Sequence, residues 1–480
     1  MKIIFFEPKI TRMYTKFSLI ILPIAFLLLW ANCNYTTAFE PIPDGATEIQ
    51  ASEQRSGDAV AGRNYLYGGD YLNSGIPFDI YKSVPIFASN SPDDLGRTGD
   101  NKGIPFNYTV TTASNSVKVV YTNCMSCHAD RLNGQVVVGL GNTTADNTQD
   151  IGMLLGLVDG IVQNNYGINS KEWAAYMPFS RGFKSISPYI KMDTRGVSPA
   201  DKIFGTLSAF RHDKKLTWVE TVQFTVPTRV IPTDVPAWWL MRKKHALYYN
   251  GLGVGDFGRL SMASSLVSML DSTEARKIDA HFPDVMAYLR TLRPPQYPNA
   301  IDQTLVTKGQ TIFEINCQKC HGKYGKEETY PNYLIDLQTI GTDRALADEY
   351  AQYPDYDSWY NHSWFNQKPA AAQLLPTKGY VAPPLDGIWA TAPYLHNGSV
   401  PTLDDLLNSS QRPEKWSRTF DNTADYDAVK VGWKYKIETT KSNTKTYDTK
   451  QLGYGNQGHT YGDKLTTEER KALIEYLKTI

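Results

Sequence analysis

The sequence predicts a mainly α-helical protein built from two related domains, the first elaborated with loops and short strands. Three observations support this prediction. The pattern Cys-x-x-Cys-His occurs twice, at residues 124–128 and 317–321. Each half ends in a similar amphipathic helical segment, "YLRTL" at 288–292 and "YLKTI" at 476–480. Between the halves lies the proline-rich "RPPQYPN", through which a helix cannot continue.

The two motifs use four of the five cysteines in the chain. A redox dithiol does not need the histidine, and the two cysteine pairs lie too far apart for a zinc site, whose pairs are typically separated by roughly 15–20 residues. Covalent haem attachment explains all three residues, because the thiols bond the porphyrin edge and the imidazole coordinates the iron. We therefore predict two covalently bound haem c groups. The predicted attachment cysteines and iron ligands are Cys124, Cys127 and His128 in the first motif and Cys317, Cys320 and His321 in the second.

The N-terminal residues carry an export pattern. Residues 17–30, "FSLIILPIAFLLLW", form an apolar segment shorter than the roughly 20 residues of a membrane-spanning helix and typical of a signal peptide. Cys33 follows in "WANC", where a lipoprotein cysteine would lie, although Asn32 stands where a small residue is usual. We predict a signal peptide over 1–33, lipid attachment at Cys33 and a periplasmic or cell-envelope location. An ordinary signal peptide with an unmodified cysteine is the alternative.

The remaining chain is predicted to comprise a linker at 34–60, an N-terminal haem domain at 61–293 and a C-terminal cytochrome c domain at 294–480. The last helix begins with Thr466 and Glu469 in the spacing of a capping box. A first and a last helix packed together around haem is the cytochrome c arrangement. The first motif instead follows "VKVVYTN", which is rich in β-branched residues and predicts a strand.

The ligand opposite each motif histidine decides whether the iron carries electrons or binds oxygen or peroxide. No methionine follows Met286, so histidines are the obvious candidates in the second domain. We prefer His459, which lies in the glycine-rich "GYGNQGHTYGDKL" before the last helix. His396 is the second choice and is otherwise a hydrogen-bond donor to a haem propionate, while His362 is expected at the surface.

The first domain offers His212, His245, His281 and several methionines as distal ligands, and none lies in a comparable loop. Two of the histidines are surrounded by Lys and Arg residues and are expected at the surface. An open or weakly ligated first iron is therefore the expectation. The adjacent Trp238 and Trp239 are candidates for an aromatic lining or an electron relay between haems, with core packing as the alternative.

Two further stretches carry a family resemblance. Together with both haem motifs, "TAPYLHNGSVPTLDDLL" at 391–407 and "NQGHTYGDKL" at 456–465 resemble the bacterial dihaem cytochrome c peroxidase superfamily. The first stretch is similar to the peroxidases' Ala-Pro-Tyr-Phe-His-Asp-Gly motif, with Leu395 and Asn397 as departures. The pattern is closest to the rubber oxygenases of that superfamily.

The resemblance implies particular ligands. The peroxidases usually supply a distal methionine to the second haem, and this sequence has none there. The rubber oxygenases place histidines on both sides of the second haem, and His459 looks like the matching residue. They keep the first haem open to oxygen with a tryptophan near it, and Trp239 looks like that tryptophan. No resemblance extends to their substrate pocket.

The sequence thus predicts an exported dihaem oxidoreductase that activates peroxide or dioxygen at the N-terminal haem, with His128 and Trp239 as catalytic residues and the C-terminal haem as electron-transfer centre. The alternatives are a pure electron-transfer cytochrome without substrate turnover and a structural or sensory haem protein. The expected partner is a redox protein or a small-molecule electron donor. Basic and acidic residues are equal at 49 each, which gives no indication of nucleic-acid binding. Calcium between the domains is compatible with the pattern, although no motif indicates it.

Overall fold

The computed structural model describes residues 42–84, 95–421 and 424–480. The predicted signal peptide and Cys33 lie outside these residues. Asp44–Ile480 forms one compact unit, so the predicted boundary at 293/294 remains a prediction. No helix within the described residues is long and apolar enough to cross a membrane.

The prediction of a mainly α-helical fold is wrong. Helices account for 39% of the structure and strands for 14%, the latter distributed over several small sheets. Many of these strands have only two or three residues, and most of them form because distant segments pair, not because of a local alternating pattern. The strand expected before the first haem motif is present at Lys118–Thr122.

The α-helices of the described residues are numbered in chain order. They are α1 (Ala59–Gly68), α2 (Phe78–Ser83), α3 (Met125–His128), α4 (Ile151–Tyr166), α5 (Lys171–Ile190), α6 (Ala200–Ala209), α7 (Phe257–Met262), α8 (Ser272–Asp279), α9 (Phe282–Thr291), α10 (Gln303–Asn316), α11 (Gln318–His321), α12 (Leu337–Ile340), α13 (Ala345–Gln352), α14 (Asp355–His362), α15 (Leu403–Leu406) and α16 (Thr467–Leu477).

The strands are β1 (Ala46–Glu48), β2 (Ile76–Pro77), β3 (Tyr108–Thr112), β4 (Lys118–Thr122), β5 (Ala129–Leu132), β6 (Gln135–Val138), β7 (Gly253–Gly255), β8 (Tyr333–Asp336), β9 (Ala372–Leu374), β10 (Gly379–Val381), β11 (Lys415–Ser417), β12 (Tyr426–Asp427), β13 (Gly432–Trp433), β14 (Lys436–Ile437) and β15 (Thr446–Asp448). They form antiparallel sheets of order β1-β8-β10, β14-β11-β15, β12-β13, β2-β4-β3, β5-β6 and β7-β9. Two of these sheets, β1-β8-β10 and β7-β9, join segments from opposite sides of the predicted domain boundary.

The first and last helices of each half cross at a glycine. Helix α1 packs on α9 in the first half, and α10 packs on α16 in the second. A Cβ atom on Gly62 would lie 1.8 Å from the carbonyl oxygen of Asp284. A Cβ atom on Gly309 would lie 2.0 Å from the carbonyl oxygen of Ala472. Only glycine allows these backbones to touch, and the helix pair expected in the second half is therefore present in both.

Side-chain caps define the ends of these helices. Asp58 and Asp302 each accept hydrogen bonds from two backbone N–H groups in the first turns of α1 and α10. The predicted capping box at the start of α16 is confirmed, since Thr466 and Glu469 each bind the other's backbone N–H.

Two loops share one backbone conformation, at residues 236–253 and 383–400. The φ angle is +68° at Tyr248 and +67° at Leu395, which occupies the matching position. Each loop closes with an isolated antiparallel bridge, between Leu247 and Gly253 and between Tyr394 and Val400. The loops are therefore counterparts, position by position.

The two halves exchange hydrogen bonds through these loops. The backbone N–H of Asp234 donates to the carbonyl oxygen of His396 at 2.7 Å. The N–H of Val381, which matches Asp234, donates to the carbonyl oxygen of Tyr249, which matches His396, also at 2.7 Å. The two loops therefore contact each other's halves in the same way.

Candidate haem sites

Each Cys-x-x-Cys-His motif winds into a single helical turn. The backbone N–H of His128 donates to the carbonyl oxygen of Cys124 at 3.1 Å, and that of His321 donates to Cys317 at 3.0 Å. Residues spaced i, i+3 and i+4 lie on one helix face, so both thiols and the imidazole of each motif point the same way. The four thiols are free. This is the arrangement that attachment to one porphyrin requires.

The asparagine before each motif has a structural role. The Asn123 side chain accepts a hydrogen bond from the N–H of Met125 at 2.9 Å and donates to the carbonyl oxygen of Phe106 at 2.8 Å. The Asn316 side chain donates to the carbonyl oxygen of Ile312 at 2.8 Å. Both asparagines therefore fix the backbone where the motif turn begins.

The second site contains two facing histidines. The Nδ1 atom of His321 lies 2.8 Å from the carbonyl oxygen of Pro383, which assigns the proton to Nδ1 and leaves Nε2 free to bind a metal. The ring centroids of His321 and His459 are 6.2 Å apart. An iron about 2 Å from each imidazole nitrogen, with about 1.2 Å from nitrogen to ring centre, would separate the centroids by roughly 6.4 Å. The observed spacing therefore fits one iron held between both rings.

Both rings are neutral near pH 7, the form that binds metal. Burial, together with the neighbouring His321 and Arg412, lowers the pKa of His459 to about 3. Burial also lowers the pKa of His321, against the opposing effect of the Pro383 carbonyl.

Arg412 clamps the loop that carries His459. Its guanidinium donates to the carbonyl oxygens of Asn456 at 2.6 Å, Gly458 at 2.7 Å and His459 at 3.0 Å. The N–H of His459 also donates to the carbonyl oxygen of Ile340 at 2.8 Å. These backbone contacts hold His459 opposite His321 without using its imidazole.

The two histidines line a cavity that also contains both cysteines of the second motif. Much of its wall is apolar, formed by Phe313, Leu385, Leu403, Leu406, Leu407, Leu473 and Leu477. The polar lining side chains include Asp234, Lys244, Tyr249, Tyr380 and His396. An apolar wall with a few polar groups is typical of a site for a large flat cofactor.

His396, the second choice for distal ligand, lies in this cavity wall. It stacks on Tyr380, with ring centroids 4.1 Å apart, and its Nε2 atom is buried without a hydrogen-bond partner. Burial lowers its pKa to about 3. Among the ring contacts of the described residues, His321 pairs with His459 and not with His396. The remaining candidate, His362, is in a partly exposed helix end and binds the carbonyl oxygen of Ser358 at 2.8 Å.

The first site has one histidine and a tryptophan. The ring of His128 stacks on Trp238, with centroids 4.6 Å apart and planes 17° apart. Burial lowers the pKa of His128 to about 4, against the effect of the carbonyl of Pro236, which matches Pro383 in the second loop. Its Nδ1 atom is buried without a hydrogen-bond partner. The ring contacts of the described residues place no second histidine against His128.

Tyrosines surround the first cysteine of this site. Burial raises the pKa of Cys124 to about 11, while the hydroxyl of Tyr71 acts to lower it. The Tyr71 ring contacts Tyr65 and Tyr121, at centroid distances of 5.8 and 5.4 Å. The first motif therefore lies against an aromatic wall on which a flat ring can pack.

Among the described residues, none of the other first-half histidines makes a ring contact with His128. His212 is 43% exposed, and Nδ1 of His245 is 2.7 Å from the carbonyl oxygen of Ile49. His281 stacks on Tyr65, with centroids 4.2 Å apart. Within the described ranges, no group of three or more His, Cys, Asp or Glu side chains is arranged to hold a metal ion.

The adjacent tryptophans point to different halves. Trp238 lies against His128, whereas the fully buried Trp239 donates its Nε1–H to the carbonyl oxygen of Asp386 at 2.8 Å. Asp386 is the counterpart of Trp239 in the second loop, three residues beyond the proline that binds His321. Sequence reasoning chose Trp239 as the tryptophan of the first site and did not single out Trp238 for contact with His128. Trp238 and Trp239 are consecutive residues of the short 3-10 helix Trp238–Arg242, so their side chains point in different directions.

Comparison with known proteins gives a partial match. Residues 379–417 match the family model described as RoxA-like, cytochrome c-like. This segment carries the proline that binds His321, and it carries His396. The match covers a small part of the chain and supports a cytochrome c-like domain, which implies covalently bound haem c.

Two uncharacterized proteins of Sinorhizobium fredii (strain NBRC 101917 / NGR234) are similar in sequence. Protein y4iM is 29% identical over 302 residues, which cover 53% of this chain and 66% of y4iM. Protein y4iJ is 34% identical over 257 residues, which cover 39% of this chain and 41% of y4iJ. The chain therefore spans less than two thirds of the length of either relative.

Proposed function

We propose that the protein is an exported dihaem c-type cytochrome that acts as an oxidoreductase, using peroxide or dioxygen at the N-terminal haem and the C-terminal haem as an electron-transfer centre. The observation that carries this proposal is the difference between the two sites. His321 faces His459 across 6.2 Å, whereas the described ring contacts of His128 include no second histidine. Bound haem c supplies one-electron chemistry and, where an axial position stays open, a place for a small oxidant.

In the second site, Cys317, Cys320, His321 and His459 would hold the haem. With both His321 and His459 available to bind the iron, this site would not take an oxidant and would supply one-electron chemistry. Because the loop is held through its backbone, His459 is in place before any ligand binds. A site that does not rearrange suits electron transfer.

In the first site, Cys124, Cys127 and His128 would hold the haem. The ring of Trp238 lies nearly parallel to the imidazole and fixes its orientation. One histidine ligand leaves the opposite face for an oxidant.

The tryptophan pair supports electron transfer between the sites. Trp238 contacts the iron ligand of the first site. Trp239, its chain neighbour, is hydrogen bonded to Asp386 in the loop that holds the ligand of the second. An electron would therefore pass through the ring contact of His128 with Trp238, the backbone between the two tryptophans and the hydrogen bond from Trp239 to the second loop.

The proposal includes the cellular setting. Covalent attachment of c-type haem takes place outside the cytoplasm, and residues 17–30 have the composition of a signal peptide. We place the protein in the periplasm or cell envelope, with membrane contact only through a lipid on Cys33. Its electron donor or acceptor is a redox protein or a small molecule.

A carbon monoxide difference spectrum of the reduced protein tests the proposal, with the haem content measured on the same sample. We expect two haems per chain and carbon monoxide binding at one of them. Two haems with no carbon monoxide binding would instead establish the pure electron carrier. Binding at both would show that His459 does not occupy the second iron.

A further inference from the structure

The polar groups in the wall of the second cavity contact one another. The hydroxyl of Tyr249 donates to Asp234 at 2.7 Å, and the ring of Tyr249 contacts that of His396 at a centroid distance of 6.5 Å. His396 in turn stacks on Tyr380. None of these groups makes a hydrogen bond or ring contact with the cysteines of the second motif. The cavity therefore has an attachment wall with the thiols and a separate polar wall.

The positions of the thioether bonds and the propionates on haem c match this division of the cavity into two walls. Both thioether bonds form at the vinyl edge of the porphyrin, and the two propionate carboxylates project from the opposite edge. A porphyrin attached to Cys317 and Cys320 must therefore direct two negative charges away from the thiols. Buried carboxylates need cationic or hydrogen-bonding partners.

Lys244 is the cation available for them. Its side chain lines the cavity, and burial lowers its pKa to about 8. The two preceding basic residues are already paired, since Arg242 lies 2.6 Å and Lys243 2.7 Å from Asp386. Among the described residues, Lys244 makes no ion pair or side-chain hydrogen bond. The ammonium of Lys244 therefore lacks an anionic partner within the protein, and its position in the cavity wall lets it bind an anion that occupies the cavity.

The cavity itself does not supply that anion. Asp386 is engaged by its two basic partners, and Asp234 is not within ion-pair distance of Lys244. Asp234 is also held by the Tyr249 hydroxyl. No other acidic side chain lines the cavity among the described residues.

We propose that Lys244 forms an ion pair with a propionate of the second haem, and that His396 donates its Nε2–H to the same edge of the porphyrin. This inference rests on the proposed second haem and extends it. Lys244 belongs to the loop of the first half, so the second haem is anchored by residues from both halves. His396 then has a partner for its Nε2 atom, which is buried without a hydrogen bond in the protein.

The full-length protein with both haems is the material for the test. Lys244→Met removes the charge and keeps the apolar length of the side chain, and Lys244→Arg keeps the charge. Lys378→Met is the matched control, because Lys378 is exposed at the start of β10, whose Tyr380 and Val381 line the same cavity. The readouts are the midpoint potential of the low-spin haem and its propionate bending bands in the resonance Raman spectrum.

Lys244→Met should lower the midpoint potential of the low-spin haem, because a nearby cation favours the reduced state, and should shift a propionate band. Lys244→Arg should restore both values, and Lys378→Met should change neither. Loss of the second haem in Lys244→Met with retention in Lys244→Arg would also support the ion pair. An unshifted propionate band in Lys244→Met, or the same defect in both Lys244 variants, would overturn it. A wild-type protein without a second haem would refute the haem assignment as well, and the haem content separates that outcome from failure of Lys244 alone.

Discussion

Replacing His459 by Ala should open the second iron. The 6.2 Å separation of the His321 and His459 rings fits a single iron between them, so removal of one imidazole leaves one axial position empty. One low-spin haem per chain should become high-spin, and carbon monoxide sites should rise from one to two per chain. The first haem should keep its spectrum, because its ligand His128 is in the other site.

The loss of the imidazole ligand in His459→Ala should not unfold the loop that carries it. The loop is held by backbone contacts of His459 with Ile340 and Arg412, and these do not involve the imidazole. His459 has φ +45°, a left-handed conformation that costs non-glycine residues about 1–2 kcal/mol. Ala therefore keeps this strain, whereas His459→Gly should relieve about 1 kcal/mol. Both variants should nevertheless show the same spectral change.

Electron paramagnetic resonance of the oxidised protein and carbon monoxide titration of the reduced protein measure the result. His362→Ala is the control, because His362 is a second-half histidine outside the cavity and should leave both signals unchanged. A low-spin signal that persists in both His459 variants would refute the ligand assignment. His396→Ala would then be the variant to measure, and Met286, a Lys or a Tyr would remain if it too had no effect.

The remaining predictions concern attachment, export and packing. Acid–acetone extraction should leave two haems per chain, and Cys127→Ala and Cys320→Ala should each remove one thioether bond; complete loss of haem from the wild type would refute covalent attachment. Mature protein should carry the mass of acyl chains at Cys33 and partition into detergent, and Cys33→Ser should abolish both; an unmodified chain beginning beyond residue 33 would contradict this. Gly309→Ala should destabilise the protein by about 1–3 kcal/mol, measured by denaturant unfolding, because its Cβ would lie 2.0 Å from a carbonyl oxygen of the facing helix. Gly156→Ala, also helical but with open space around its Cβ, should not.

The sequence was informative where a local pattern determines structure. The motif turns, the capping box of α16 and the strand before the first motif all depend on residues within a few positions of each other. The facing of His321 and His459 was also expected, from the absence of methionine and the glycine-rich loop. The first three features require no knowledge of how distant segments pair, whereas the facing of His321 and His459 joins residues far apart in the chain.

Features set by tertiary contacts were not predictable. The strands of two or three residues exist only through their partners, which is why the predicted fold class is wrong. The matching loops share little sequence beyond Asn-Gly at 250–251 and 397–398, so the sequence does not predict their common conformation. The basic run before His245 suggested a solvent-exposed segment. In the structure Arg242 and Lys243 bind Asp386, and Lys244 lines a cavity.

The reciprocal hydrogen bonds between the loops have a thermodynamic consequence. Proteins with several domains often melt in separate steps. Here neither half can open without breaking the backbone bonds from Asp234 to His396 and from Val381 to Tyr249, together with the strand pairs β1-β8 and β7-β9. The two halves should therefore melt in a single calorimetric transition. Whatever stabilises one half, such as a haem bound there, should raise the melting temperature of the whole chain.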